Sequence, residues 1–252
     1  MSPAAAVPLA LAVALFAVTA TFVIARLRGR YDTIDTTWGA GFALIAAVSF
    51  ATGRTGALPA AVVVVWGIRL AVHLHRRNAG LPEDPRYVEM AAGARRFPAL
   101  RMFARVYLVQ GVVMWFVALP VLFAGPGVGV FTAVGAAVWA VGMFFEAVGD
   151  EQLRRFRADP ANAGRVLDRG LWRYTRHPNY FGDACVWWGA YLMACQHWPG
   201  PLAVLSPLLM TWLLARGTGK PVLERRLREH RPEYAAYVER TSGFLPLPPK
   251  RR

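Results

Sequence analysis

The chain has 252 residues, 56% of them hydrophobic, and 29 Lys and Arg against 15 Asp and Glu, for a formal net charge of +14. Its apolar residues come in blocks of membrane-spanning length, which excludes a soluble domain built on one core and points to an all-α polytopic integral membrane protein. No soluble domain remains to hold a nucleic-acid groove, so the positive charge reads as membrane topology and attraction to anionic lipid.

Seven transmembrane helices are expected in a single membrane domain covering 1–252, at about 4–25, 36–53, 58–75, 105–124, 128–149, 182–198 and 201–217. The basic residues test that count independently. All except Arg54 and Arg69 fall in or at the edges of the loops after odd-numbered spans. This parity predicts an amino terminus outside and a carboxy terminus in the cytoplasm, across a membrane such as the bacterial inner membrane. The first span has no basic segment ahead of it and carries Arg26, Arg28 and Arg30 behind it, so it is expected to stay as an anchor.

In the third span, WGIRLAVHLHRRN places Arg69, His73 and Arg76 or Arg77 on one stripe. An Arg inside hydrocarbon needs a carboxylate, and Asp32, Asp35, Glu83 and Asp84 are available; a buried ion pair and a substrate role both fit. His73 and His75 fall on different helical faces, which argues against a shared metal. The following loop, RRNAGLPEDPRYVEMAAGARRFPALR, is expected to fold with short helical pieces. Glu83, Asp84, Arg86 and Tyr87 form a dense polar knot there. Glu83 and Tyr87 are the candidate catalytic pair, since a Tyr beside a carboxylate can donate a proton to a carbonyl oxygen; helix capping is the plainer role for Asp84.

The fifth span ends in GMFFEAVGDEQLRRFR, where Glu146, Asp150, Arg154 and Arg157 share one helical face. Ordinary i,i+4 ion pairs would account for the set. A carboxylate as deep as Glu146, however, is costly in a membrane and is usually kept for function. The helix is expected to break near Asp159-Pro160.

Next comes the densest polar stretch, Arg169 to Asp183, RGLWRYTRHPNYFGD. Arg169, Arg173 and Arg176 offer forks suited to phosphate, Trp172, Tyr174 and Tyr180 offer stacking faces, and Pro178 prevents one smooth helix. Arg and aromatic residues also serve as interface anchors, but Asn179 and Asp183 add nothing to anchoring and favour a ligand. Cys185 and Cys195, ten residues apart on one expected helix, cannot form a disulfide and are read as apolar fillers. The tail from Glu224 to Arg240 reads as an amphipathic helix pair interrupted at Pro232.

Together, YDTIDTTWG, WGIRLAVHLHRRNAGLPEDPRY, LVQGVVMWFVALP, RGLWRYTRHPNYFGDACVWWG and YAAYVERTSGFLPLPP resemble the bacterial membrane family of unknown function (DUF1295) related to steroid 5-alpha-reductases, over nearly the whole chain. That resemblance implies seven transmembrane helices, cytosolic NADPH and reduction of the carbon-carbon double bond of a lipophilic enone. It maps Asp150, Arg157 and Asn179 onto cofactor-contacting positions. Asp183 stands where the motif normally has Glu, and Glu146 where the reductases have Asn. The box around His177-Pro178 and the tail residues Glu224, Tyr234 and Tyr237 also resemble integral membrane methyltransferases acting on isoprenylcysteine and phospholipids, which use S-adenosylmethionine. A non-enzymatic membrane protein is the third reading. The expected cofactor-binding set is Asp150, Arg154, Arg157, Arg173, Tyr174, Arg176, His177, Asn179, Tyr180, Asp183 and Glu224; the expected partners are a lipophilic small molecule and membrane lipid.

Overall fold

A computed structural model describes residues 1–252 apart from Ala94, Arg95, Pro232, Arg251 and Arg252, and apart from the side chains of Pro3, Arg226 and His230. Among the described residues all regular structure is helical. Among them, six helices are long and apolar enough to cross a membrane: Ala4–Arg28, Thr33–Ala51, Ala57–Asn78, Pro98–Phe123, Val130–Ala158 and Gly200–Glu229. The chain is a multi-pass helical membrane protein, and the six such helices among the described residues are close to the seven expected. The span expected at 182–198 is the helix Pro178–Ala194, whose 17 residues extend only about 25 Å, short of the roughly 30 Å hydrocarbon core. Its first turn belongs to the polar box.

The chain divides into two compact units, Met1–Thr132 with Ala190–Ser206, and Ala133–Gly189 with Pro207–Arg252. In the first, α1 (Pro3–Arg28), α2 (Thr33–Ala51) and α3 (Ala57–Asn78) are joined by short turns, the first of them made at Gly29 in a left-handed conformation, φ 67°. α2 and α3 pack through small residues: a Cβ on Gly39 would lie 2.5 Å from the Gly67 carbonyl oxygen. This permits the close backbone approach that membrane helices use where no hydrophobic drive separates them from lipid. The loop after α3 contains the expected short helix, α4 (Pro85–Ala92), capped by the Asp84 carboxylate, which accepts from the Arg86 N–H at 2.9 Å. α5 (Pro98–Phe123) follows, its early part a π-helical stretch at Phe103–Leu108. Val18, Ile34, Met102, Val106 and Tyr107 form a buried cluster with Tyr87 of α4, and Phe22 meets Tyr107 edge to face at 5.2 Å.

The second unit is organised by α6 (Val130–Ala158), which carries its helix well past the apolar run and stops before Asp159, as expected from Asp-Pro. The chain then returns along the polar end of α6: Trp172 donates from Nε1 to the Gly149 carbonyl at 3.0 Å, and Leu171 N–H donates to Gln152 Oε1 at 3.0 Å. Phe156, Leu167 and Trp172 bury this return. α7 (Pro178–Ala194), α8 (Leu205–Ala215), α9 (Lys220–His230) and α10 (Tyr234–Arg240) complete the order. α9 and α10 are the helix pair expected in the tail; the interrupting Pro232 lies outside the described residues.

Candidate functional site

Two contacts determine how the polar box sits on α6. Gly149 faces Pro178, where an added Cβ would be 3.1 Å from Pro178 Cγ, and Gly182 faces Glu146, where it would be 2.5 Å from the Glu146 nitrogen and from the Gly142 carbonyl oxygen. The absence of side chains at these points lets the start of α7 lie against α6. Asn179 Nδ2 then donates to Asp150 Oδ1 at 3.1 Å across 29 residues of sequence. Glu146, Asp150 and Asp183 are all buried, at 2%, 5% and 8% exposure. The amide of α7 and a carboxylate of α6 therefore meet, and the two helices carry two further buried carboxylates, Glu146 and Asp183, in a membrane protein where burial of charge is tolerated only with partners.

Immediately before this, Arg176 and His177 form a clamp with the tail. Arg176 donates from Nε to Glu224 Oε1 at 2.9 Å and from Nη1 to the carbonyls of Thr241 at 2.5 Å and Val238 at 3.1 Å. His177 Nε2 lies 3.0 Å from the same Glu224 oxygen, and its ring stacks on Tyr180 at 5.1 Å and 6°. Burial pushes the His177 pKa below its ordinary value, with Arg176 and Lys220 adding to that and Glu224 opposing it. A neutral His177 donates from Nε2 to Glu224 and leaves Nδ1 as an acceptor, which is buried and has no hydrogen-bond partner among the described residues. The backbone completes the clamp: Arg176 N–H donates to Ser242 O at 2.9 Å, Leu247 N–H to Tyr174 O at 3.0 Å, and Tyr237 hydroxyl to Trp172 O at 2.5 Å.

The expected site residues thus separate by surroundings. Asp150 and Asn179 come together, with His177 and Tyr180 within one turn of Asn179 and the buried Asp183 one turn further along α7. Arg176 and Glu224 meet each other in the clamp. Arg154 and Arg157 extend outward along α6, and the Arg154 fork is taken by Glu151 at 2.6 and 2.7 Å. Tyr174 has an exposed ring. Arg173 lines an open cleft of about 470 Å³ with Arg169, Arg240 and Lys250, whose lining includes neither Asp150 nor Asn179.

In the first unit, Tyr87 and Glu83 have separate partners. The Tyr87 hydroxyl donates to Asp35 Oδ1 at 2.6 Å, whereas Glu83 accepts from the Tyr31 backbone N–H. Asp35 is also 3.3 Å from Arg77 and 3.9 Å from Arg86, and Asp32 pairs with Arg30 at 2.7 Å. Burial, reinforced by Asp35, raises the Tyr87 pKa, so the phenol keeps its proton. Sequence reasoning included Asp35 only as a partner for Arg69; the signal for its role is its position one turn into α2, which the α3–α4 loop folds back over. No cluster of three or more His, Cys, Asp or Glu able to hold a metal occurs among the described residues.

The fold and site define a multi-pass helical membrane protein with a buried Asp–Asn contact between two of its helices. The family model described as protein of unknown function (DUF1295) matches residues 21–241, and the chain belongs to that family. No curated protein and no solved structure matches it.

Proposed function

We propose that this protein is an NADPH-dependent reductase of a carbon-carbon double bond in a lipophilic enone, such as an isoprenoid, sterol-like or acyl compound. In this reading the amino terminus is outside and the polar box is cytoplasmic. The observation that carries it is the Asn179–Asp150 hydrogen bond. Two residues that the reductase resemblance assigns to the cofactor are held together by the close packing of α6 and α7.

The donor set suits a nucleotide. Asp150 and Asp183 are acceptors for hydroxyls, the Asn179 amide offers both a donor and an acceptor, and His177 Nδ1 is a buried acceptor left over from the clamp. Bound NADPH supplies hydride. Asp150, Asn179 and Asp183 bind and orient its polar groups, and Arg157 on the outward end of α6 offers a fork for phosphate. Tyr87 holds a proton at its hydroxyl, fixed by Asp35; a substrate carbonyl that takes over this hydrogen bond is polarised as negative charge develops on its oxygen. The residues shared with methyltransferases, Arg176 and Glu224, are spent on each other and on tail carbonyls. They support a common architecture and leave the choice of cofactor to the residues around them.

The test is a parallel titration of the purified protein with NADPH and S-adenosylmethionine, following thermal stability. A ligand at 100 times its dissociation constant stabilises by about 2.7 kcal/mol. NADPH is expected to raise the melting temperature of the wild type and to lose that effect in Asn179→Ala. Stabilisation by S-adenosylmethionine alone replaces this reading with the methyltransferase one.

A further inference from the structure

The strongest feature the proposed reaction leaves unused is the cleft beside the tail. Arg169, Arg173, Arg240 and Lys250 line it together with Asp168 and Thr241. Four cations against one carboxylate leave a net of +3. Asp168 is committed to Arg240 at 2.5 Å, and the Arg169 guanidinium lies over the Phe156 ring, 5.9 Å from its centroid. No ion pair engages Arg173 or Lys250 among the described residues.

Like charges are normally spread apart on a surface because they repel. Here the backbone forces them together. Tyr237 hydroxyl bonds Trp172 O, Leu247 N–H bonds Tyr174 O, and Lys250 N–H bonds Arg240 O at 3.0 Å, so the tail lies along the segment that carries Arg169 and Arg173. Arg176 fastens the same tail from its buried side at Val238 and Thr241. The segments that carry these cations are therefore held around a concavity of about 470 Å³, within the range of small-ligand sites, and guanidinium forks suit phosphate oxygens.

We propose that this cleft is a binding site for a phosphate-bearing anion, with Arg169, Arg173 and Lys250 as its ligating cations and Arg240 positioned by Asp168. The site stands independently of the proposed reductase chemistry. Its phosphate comes either from a soluble phosphorylated molecule or from an anionic lipid headgroup.

The experiment uses the full chain in micelles of neutral detergent. One arm titrates inorganic pyrophosphate; the other titrates phosphatidylglycerol against phosphatidylcholine, each followed by thermal shift and by intrinsic tryptophan fluorescence. At least one anion is expected to bind the wild type, with an affinity that falls as salt rises and drops at least tenfold in Arg169→Gln/Arg173→Gln. Binding in the pyrophosphate arm alone assigns a soluble ligand; binding in the phosphatidylglycerol arm alone assigns a headgroup. Lys250→Gln, at an exposed tail position, keeps the test open if the double variant fails to fold, and is expected to weaken the same ligand at least threefold. The proposal is overturned if neither anion binds, if folded variants bind both as tightly as the wild type, or if the only ligand lost on substitution is NADPH.

Discussion

Replacing Gly182 with Ala tests how the site is assembled. The new methyl would lie 2.5 Å from the Glu146 nitrogen and the Gly142 carbonyl oxygen and 2.9 Å from Glu146 Cβ. Ordinary contact begins near 3.4 Å, so α6 and α7 must part locally by about 0.9 Å, and the opposing atoms are backbone that cannot rotate away. Overpacking of this kind costs about 1–3 kcal/mol, or roughly 2–12 °C in melting temperature for a chain of this size. The same displacement transmitted to the next turn would stretch the 3.1 Å Asn179–Asp150 bond to about 4 Å, beyond hydrogen-bonding range. Thermal unfolding in detergent reads the first effect and NADPH titration the second. Gly93→Ala is the control, since that glycine has φ −69° and its nearest neighbour would be 3.4 Å from the methyl. If Gly182→Ala melts with the wild type and binds ligand equally well, the close packing of α6 and α7 does not position the site.

Arg176→Met removes the cation from a buried pair and strands Glu224; a loss of about 3–5 kcal/mol is expected, partly restored by adding Glu224→Gln, as a double-mutant cycle of unfolding midpoints would show. Because the folded-state pKa of His177 lies below its ordinary 6.5, its contribution to stability is complete above that pH. As pH falls below 6.5 the unfolded chain takes a proton that the folded chain refuses, so stability falls with a slope of up to about 1.4 kcal/mol per pH unit until the folded pKa is reached. His177→Gln should flatten that part of the profile relative to the wild type; parallel profiles would mean that folding leaves the His177 pKa unshifted. Tyr87→Phe removes the proposed acid and should lower turnover by about 10²- to 10³-fold with NADPH affinity unchanged; retained turnover would move the acid elsewhere.

The amino-acid sequence alone determined that this is an all-helical membrane protein, where its apolar segments lie, that α6 outlasts its apolar run and ends at Asp159-Pro160, and that the tail carries paired helices. These are properties of local composition: transfer of apolar surface from water and the steric demands of Pro act on contiguous residues and leave contiguous marks. The short reach of α7 was less visible, because the apolar run of 182–198 has spanning length while the helix itself begins at Pro178 and ends at Ala194. Tertiary structure alone decided the partners. Arg176 could equally have faced a phosphate or Glu224, and Tyr87 could have met Glu83 or Asp35; sequence holds the charges but not the distances between them. Those distances follow from backbone approach at Gly149 and Gly182 and from the tail folding along Trp172–Arg176, contacts between residues tens of positions apart. A glycine or a carbonyl leaves no chemical signature of what it touches, so only the packed chain shows that the most conspicuous arginine of the box serves as a clamp and that a second group of arginines surrounds an open cleft.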